Sequence, residues 1–320
     1  SKKFKRDNDL NYAPDQIVVS TGAKQSLPNV VLSLVNPGDE VILPAPYWVS
    51  YEEIVKVAGG IPVIIPTSIK EDYKINPEAL EEAINEKTRL VIYSSPCNPS
   101  GSVYTQSETA SIANVLRKHD NVFTISDEIY ELINFTSRHA SLAAEPGMIE
   151  RVITVNGVSK GFAMTGWRLG YIGAPKWIAA ACTKIQGQFT SAPCSITQAA
   201  AAEAVDQDPS ISKSMLDAFL RRRDAMHADL SKVPGIELNM PMGAFYLFPD
   251  ISKLFGLSYK GKTLKNSDDV AMYFIEEAHV ATVSGAAFGT PECIRISYAA
   301  ADEVLAEAVR RIDVAVRKLS

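Results

Sequence analysis

The chain has 320 residues, 46% of them hydrophobic, and a formal net charge of −5 at pH 7. This length can bury a large core and predicts two domains. The negative charge argues against a nucleic-acid partner, because phosphate binding needs concentrated positive charge. No apolar run is long enough for a membrane span, so we predict no membrane partner either. The four cysteines have no paired spacing and the four histidines no ligand spacing. These spacings predict a cytoplasmic protein with free thiols and no metal.

The first two-thirds of the chain alternate strand and helix patterns, which is typical of a mostly parallel sheet with helices on both faces. The predicted strands are residues 17–19, 41–43, 62–65, 90–93, 122–125, 152–155 and 169–172. The predicted helices between them are residues 24–34, 48–58, 77–84 and 105–117. The pattern therefore predicts a three-layer α/β domain.

A different pattern begins near residue 210 with a long charged helix. The predicted strands that follow are residues 236–238, 244–248, 280–283 and 294–298. A closing helix places apolar residues at steps of three and four, which predicts one docked face. These residues are Leu305, Val309, Ile312, Val316 and Leu319. We therefore predict a large domain over residues 1–209 and a smaller α+β domain over residues 210–320.

Polar residues follow the ends of four of the predicted strands. They are the segments 20–23 and 96–99, then Asp127 and Lys160. Ligands gather at the carboxyl ends of parallel strands, so these residues are expected to share one crevice. Segment 20–23 also opens a helix, whose free N–H groups and dipole suit a phosphate. Each feature alone also has an ordinary explanation, such as a tight turn or a helix cap.

Lys160 follows a strand-like run and a turn at Asn156 and Gly157. An unpaired buried ammonium is costly, but a lysine held neutral is a good nucleophile for Schiff-base chemistry. We interpret Lys160 as the residue that carries pyridoxal phosphate. Two other interpretations stay open: a solvated surface lysine, and a serine-hydrolase elbow in which residues 157–161 match G-x-S-x-G around Ser159.

Further residues suit the same cofactor. Asp127 could keep a pyridine nitrogen protonated, and Tyr130 and Asn98 could donate hydrogen bonds to a phenolate oxygen. Trp48 could stack on the ring, and the planar fork of Arg168 suits a phosphate. A core tryptophan and a surface arginine are the ordinary alternatives.

Six motifs occur in order along nearly the whole chain: S-T-G-A-K-Q at 20–25, P-A-P-Y-W at 44–48, N-P-S-G at 98–101, S-D-E-I-Y at 126–130, S-K-G-F-A-M-T-G-W-R-L-G at 159–170 and I-R-I-S-Y at 294–298. With these motifs the chain resembles the pyridoxal-phosphate-dependent aminotransferases of fold type I, in the class I group that includes bacterial aspartate aminotransferases.

The resemblance implies a role for each matching residue. Lys160 would hold pyridoxal 5′-phosphate, Asp127 would pair with its ring nitrogen, and Asn98 and Tyr130 would contact its phenolate oxygen. The residues implied around the phosphate are Gly22, Ala23, Ser159 and Arg168. Arg295 would bind the substrate α-carboxylate, with Trp48 stacked on the ring and Asn98 nearby. Lys24 would meet a side-chain carboxylate, although a solvated lysine explains it equally well.

The implied reaction is a two-step transamination between an L-amino acid, aspartate or glutamate, and a 2-oxo acid. Aromatic amino acids or prephenate, and a pyridoxal-phosphate-binding regulatory module without turnover, are the alternatives. The resemblance also implies a homodimer with a shared active site. Family members carry a further N-terminal segment with an arm that closes over the substrate, and we expect that part of the fold to be missing before Ser1.

Residues 256–263 match a phosphate-binding loop, but the next predicted helix starts too late, so an ordinary loop is preferred.

Overall fold

A seven-stranded sheet forms the centre of the first part of the chain. The computed structural model describes residues 1–136 and 138–320. The strands of this sheet are β1 (Ile17–Ser20), β2 (Glu40–Pro44), β3 (Ile61–Ile65), β4 (Thr88–Ser94), β5 (Phe123–Asp127), β6 (Val152–Gly157) and β7 (Gly170–Gly173). Their spatial order is β1-β7-β6-β5-β4-β2-β3. Strand β7 runs antiparallel to β1 and β6, and the other neighbouring strands are parallel. The predicted mostly parallel sheet is confirmed.

Helices accompany this sheet on both of its faces. They are α1 (Lys2–Asn8), α2 (Ala23–Leu34), α3 (Ser50–Val57), α4 (Pro77–Ala83), α5 (Gln106–Leu116), α6 (Lys176–Phe189) and α7 (Ser195–Asp206). Local sequence explains two of the helix starts. The side chain of Asn76 accepts hydrogen bonds from the first turn of α4, and that of Thr105 caps α5. Helix α3 begins two residues later than predicted, which leaves Trp48 in the turn before it.

Successive residues of the central strands point to opposite faces of the sheet. In β2, Val41 and Leu43 pack in one hydrophobic cluster, and Ile42 packs in another. In β4, Leu90 and Val91 divide in the same way. Because both faces carry buried apolar residues, the sheet has a core on each side and forms the middle of three layers.

The C-terminal part is built from short strands and three helices. The helices are α8 (Lys213–Leu230), α9 (Ser267–Tyr273) and α10 (Asp302–Val316). The strands are β8 (Tyr246–Leu247), β9 (Ser258–Tyr259), β10 (Lys262–Thr263), β11 (Val283–Ser284) and β12 (Ile294–Ser297). Strands β11, β12 and β8 form an antiparallel sheet. The predicted closing helix is present as α10, and it buries Leu305, Val309, Ile312 and Val316.

Three strand predictions in this part were wrong or too long. Residues 236–238 form no strand, and Glu237 makes only an isolated bridge to Asp250. The strand predicted at 244–248 is reduced to β8, because Ala244 has a left-handed backbone (φ 56°) that cannot continue a strand. The strand predicted at 280–283 starts only at Val283.

The P-loop pattern at residues 256–263 has no helix at its end. It lies in a hairpin formed by β9 and β10. Helix α9 begins later, at Ser267, where the side chain of Asn266 caps it. The preference for an ordinary loop therefore agrees with the structure.

The predicted domain boundary near residue 210 falls in the short helical turn Pro209–Ser212 that precedes α8. A cluster of buried residues from α8, β8, β12 and α10 forms the core of the C-terminal part. The division at this point stays a prediction. Within the described residues, the helices are all too short or too polar to cross a membrane.

Candidate active site

A cavity of about 280 Å³ lies at the carboxyl ends of β1, β4, β5 and β6. It is lined by Ala23, Lys24, Leu27, Trp48, Tyr51, Ser94, Asn98, Asp127, Ile129, Tyr130, Ser159, Lys160, Thr165, Arg168, Tyr246 and Arg295. All the predicted site residues are among these except Gly22, which adjoins Ala23 and Arg168 at the edge. The structure therefore brings together side chains that are far apart in the sequence.

Asp127 is the last residue of β5 and is buried. Its carboxylate accepts a hydrogen bond from Tyr51 Oη (2.7 Å) and one from the backbone N–H of Ile129 (3.3 Å). Burial raises the pKa of Asp127 to about 6, although the hydrogen bond from Tyr51 opposes this. A buried carboxylate with so few donors is suited to pair with a cationic group in the cavity.

Lys160 follows β6 and is half-buried in the cavity wall. Its Nζ lies 5.8 Å from the ring centre of Tyr130 and 5.4 Å from that of Phe245. Burial lowers the pKa of Lys160, and the positive charges of Arg295 and Arg168 lower it further. A lower pKa leaves more of the amine neutral at pH 7, which makes it a better nucleophile.

One end of the cavity has the features of a phosphate site. Gly22 precedes α2 with φ 82°, and a Cβ at this position would lie 2.3 Å from Arg168 Nη2, so only glycine fits. The first N–H groups of α2, at Ala23 and Lys24, have no carbonyl partner within the helix. A Cβ on Gly170 would lie 2.1 Å from the nitrogen of Ala23, which shows how closely β7 packs under this helix start. Free N–H groups beside a guanidinium suit a phosphate.

Arg295 lies on β12 at another side of the cavity. Its Nη1 donates to Asn98 Oδ1 (3.0 Å), and its guanidinium carbon lies 4.6 Å and 5.0 Å from the ring centres of Tyr246 and Phe288. Its buried Nε has no hydrogen-bond partner within residues 1–136 and 138–320. The guanidinium is thus positioned by rings and one amide while donors remain for an anion.

Trp48 and Lys24 lie at the exposed edge of the cavity. The Nζ of Lys24 is 5.3 Å from the Trp48 ring centre, and the lysine is solvent-exposed. The rings of Trp48 and Tyr51 also make a T-shaped contact, with 5.6 Å between ring centres. A cation at this edge is placed to meet a charged group on a bound molecule.

Sequence reasoning missed two tyrosines in the cavity wall. Tyr51 donates to Asp127, and Tyr246 forms a hydrogen bond with Tyr130 (2.9 Å between the two Oη atoms). Tyr51 follows the Trp48 motif by three residues, which was the one available signal. Tyr246 has no comparable pattern around it, because its position depends on how β8 pairs with β12.

A buried charged cluster lies outside the cavity, directly behind Asp127. His139 Nε2 is 2.9 Å from Glu128 Oε2, and Lys3 pairs with Glu131. Ser141 also donates to Glu128 (2.7 Å). Possible ligand atoms of the two glutamates and the histidine lie within 4.8 Å of one another. Because the ammonium of Lys3 already supplies positive charge there, we interpret the cluster as an ion-pair network. The cluster could not be predicted from the sequence, since its members are not regularly spaced.

Residues 1–312 match the family described as aminotransferase class I and II. The chain belongs to this family. The resemblance found in the sequence is therefore confirmed, and so is the α/β fold class, fold type I. The serine-hydrolase interpretation is excluded. A serine hydrolase needs a histidine near its serine, and no histidine lines the cavity in the described part of the chain.

Individual relatives are similar over nearly all of this chain. A bifunctional aspartate aminotransferase and glutamate/aspartate-prephenate aminotransferase from Petunia hybrida is 48% identical, covering 98% of this chain and 66% of the relative. An aspartate/prephenate aminotransferase from Cereibacter sphaeroides is 45% identical, covering 97% of this chain and 78% of the relative. The chain thus spans about two-thirds of the plant protein.

Solved structures agree with the fold. The aspartate aminotransferase from Rhizobium meliloti is 42% identical and superimposes with a TM-score of 0.96, covering 100% of this chain and 80% of that one. An aromatic aminotransferase from Pyrococcus horikoshii is 38% identical with a TM-score of 0.92, covering 99% of this chain and 83% of that one.

Proposed function

We propose that this protein is a pyridoxal-phosphate-dependent aminotransferase that moves an amino group between an L-amino acid and a 2-oxo acid. The observation that carries the proposal is the arrangement of three groups around one cavity. A lysine of lowered pKa and an underpaired buried carboxylate face it, and the start of α2 lies beside Arg168 at one end of it. The names of the relatives support the same class of reaction.

The residues present fit the cofactor. Pyridoxal phosphate, when bound, supplies an aldehyde that reacts with amines and a ring that withdraws electrons from the substrate α-carbon. Lys160 would be its attachment point, and Asp127 would keep its ring nitrogen protonated. Asn98 and Tyr130 would donate to its phenolate oxygen, and Trp48 would contact its ring. The residues proposed to hold its phosphate are Gly22, Ala23, Ser159 and Arg168.

Two residues act on the substrate. The planar guanidinium of Arg295 binds the α-carboxylate and fixes the orientation of the Cα–H bond. Lys160, once its amine is free, removes the α-proton as a general base and returns a proton as a general acid. Water supplies the oxygen with which the first substrate leaves as a 2-oxo acid, while its amino group stays on the enzyme. A second 2-oxo acid then takes that amino group in the reverse sequence and releases the water, which gives ping-pong kinetics.

We infer aspartate or glutamate as the amino donor. Lys24 lies at the cavity edge with an exposed ammonium that can meet a side-chain carboxylate. Relatives named as aspartate/prephenate aminotransferases support this inference and make prephenate a further acceptor to test. A homodimer with a shared active site belongs to the same proposal, and sedimentation of the purified protein would test it.

A spectrum of the purified chain with added pyridoxal phosphate tests the proposal. We expect an absorbance band of bound cofactor that shifts when aspartate is added and returns when 2-oxoglutarate is added. Borohydride reduction followed by peptide mapping should place the cofactor on Lys160. A band without turnover would favour a regulatory module instead, and a label on another lysine would contradict the assigned role of Lys160.

A further inference from the structure

Tyr246 contacts both a proposed cofactor-binding residue and the proposed substrate-binding arginine. Its side chain is buried in the cavity wall, and its Oη lies 2.9 Å from Tyr130 Oη. The guanidinium carbon of Arg295 lies 4.6 Å from the centre of its ring. The hydroxyl and the ring of one side chain therefore touch two different parts of the site.

The sheet of the C-terminal part fixes this position. Tyr246 on β8 is paired with Ser297 on β12, and Arg295 is two residues earlier on β12. Arg295 and Ser297 point to the same side of their strand, so the ring of Tyr246 and the guanidinium are diagonal neighbours across the strand pair. The hydroxyl then reaches Tyr130, which belongs to the turn after β5.

The direction of the hydrogen bond between the two tyrosines follows from a count of protons. A neutral phenol has one O–H group to donate and can accept as well. If Tyr130 gives its proton to the phenolate oxygen of the cofactor, it can only accept from Tyr246. Burial raises the pKa of both phenols, so both stay protonated at neutral pH. The result is a chain of donation from Tyr246 to Tyr130 and on to the cofactor oxygen.

We propose that Tyr246 is a positioning residue that holds the Tyr130 hydroxyl in the orientation for donation to the cofactor. This inference rests on the proposed function. A donor that is itself a hydrogen-bond acceptor is polarised and donates more strongly, by about 10–30% per bond. Tyr246 therefore acts on the cofactor oxygen only through Tyr130, without contacting it.

The test is a pH titration of the absorbance of the holoenzyme. Donation to the phenolate oxygen stabilises the deprotonated form of the bound cofactor, so losing it raises the pKa of the absorbance transition. Tyr130→Phe should raise that pKa most. Tyr246→Phe should also raise the pKa of the transition, but by less, on the order of 0.3 unit. The double variant should behave like Tyr130→Phe alone, because the effect of Tyr246 passes through Tyr130.

Tyr298→Phe is the matched control. Tyr298 is buried in the same cluster, and its hydroxyl donates to a backbone carbonyl, that of Ala244 (3.2 Å). It should leave the titration unchanged even if it lowers stability, which thermal unfolding of the apo proteins measures separately. An unchanged titration in Tyr246→Phe would overturn the inference, and so would additive shifts in the double variant. If the wild type takes up no cofactor, the proposed function fails and this inference falls with it.

Discussion

Two buried charged regions lie back to back at the end of β5. On the cavity side, Asp127 has two hydrogen-bond donors, and Lys160 has a lowered pKa because burial and two arginines disfavour its charge. On the core side, the next residue, Glu128, receives hydrogen bonds from two serines and pairs with His139. The carboxylates of two successive residues at the end of β5 thus have different surroundings: that of Asp127 faces the cavity, and that of Glu128 faces the ion-pair network.

The difference separates the proposed binding site from a structural ion-pair cluster. Buried charges are costly unless paired, so a region that leaves them underpaired carries a cost that a ligand can offset. The core-side cluster has its cations built in, with Lys3 beside Glu131. Burial alone therefore does not mark a functional residue, whereas a buried, underpaired charge that faces a cavity is a candidate for function.

The largest effect is expected on the cavity side. Lys160→Ala removes both the proposed attachment point of the cofactor and the proposed proton carrier, so turnover of aspartate should fall by about 10⁴-fold or more. The free energy of unfolding should not fall, because the Lys160 amine makes no hydrogen bond or ion pair, with any residue that the structure describes, whose partner would be left unpaired. Steady-state kinetics and thermal unfolding measure the two. Lys184→Ala, at an exposed position of α6, is the control. Turnover above a hundredth of wild type would contradict the assignment.

On the core side, the main effect should be on folding. Glu128→Ala leaves the buried imidazole of His139 without its carboxylate partner and the Ser141 hydroxyl without its acceptor, which should cost about 3–5 kcal/mol in the free energy of unfolding. Urea denaturation measures this loss. The exposed Glu86→Ala should change almost nothing. If Glu128→Ala unfolds like the control, the cluster is not a stabilising network.

Asp127→Asn should show the reverse pattern to Glu128→Ala. The amide keeps the shape and can still accept from Tyr51, but it cannot stabilise a protonated ring nitrogen. We expect kcat to fall by about 10²- to 10³-fold, with little loss of stability. Kinetics under saturating cofactor and denaturation of the apo protein would be compared. A loss of stability without a loss of kcat would reverse the roles given to the two carboxylates.

The core-side cluster should also make stability depend on pH. Burial lowers the pKa of His139, but attraction to Glu128 and Glu131 outweighs it, and the net shift is upward. A raised folded-state pKa contributes stability below the unfolded pKa of about 6.5, and that stability is lost as pH rises through the folded value. The stability difference between wild type and His139→Gln should therefore be larger at pH 6 than at pH 9. Urea denaturation measures the two differences. If they are equal at pH 6 and pH 9, His139 does not form a charged pair with Glu128.

The smallest effect is expected at the exposed edge of the cavity. Lys24 is solvent-exposed, and an exposed ion pair contributes about 0.2–1 kcal/mol. Lys24→Ala should raise the apparent KM for aspartate by roughly 2- to 5-fold, and change that for alanine much less. Steady-state kinetics with both amino donors measure this. Equal changes for both would remove the argument for aspartate.

Much of the fold could be predicted from the sequence, because the central strands are long and apolar on both faces. The short strands near the C-terminus could not, since a two-residue strand carries too little pattern and Ala244 interrupts its neighbour through a backbone angle. The sheet then brought the predicted polar residues to one edge, as parallel strands require. Contacts such as Tyr51 with Asp127, 76 residues apart, depend on packing that periodicity does not encode.

The reversed direction of β7 has a consequence for how the chain can change. Strand β6 ends just before Lys160, and β7 begins just after Arg168, so one short connection carries both groups. A hydrogen bond from Val158 N to Leu169 O closes it at its base. An added or deleted residue there would shift the amine of Lys160 relative to the guanidinium of Arg168, so natural and engineered variants should keep this connection at fixed length. The exposed turn at Lys260 and Gly261, between β9 and β10, carries no such constraint and should accept insertions.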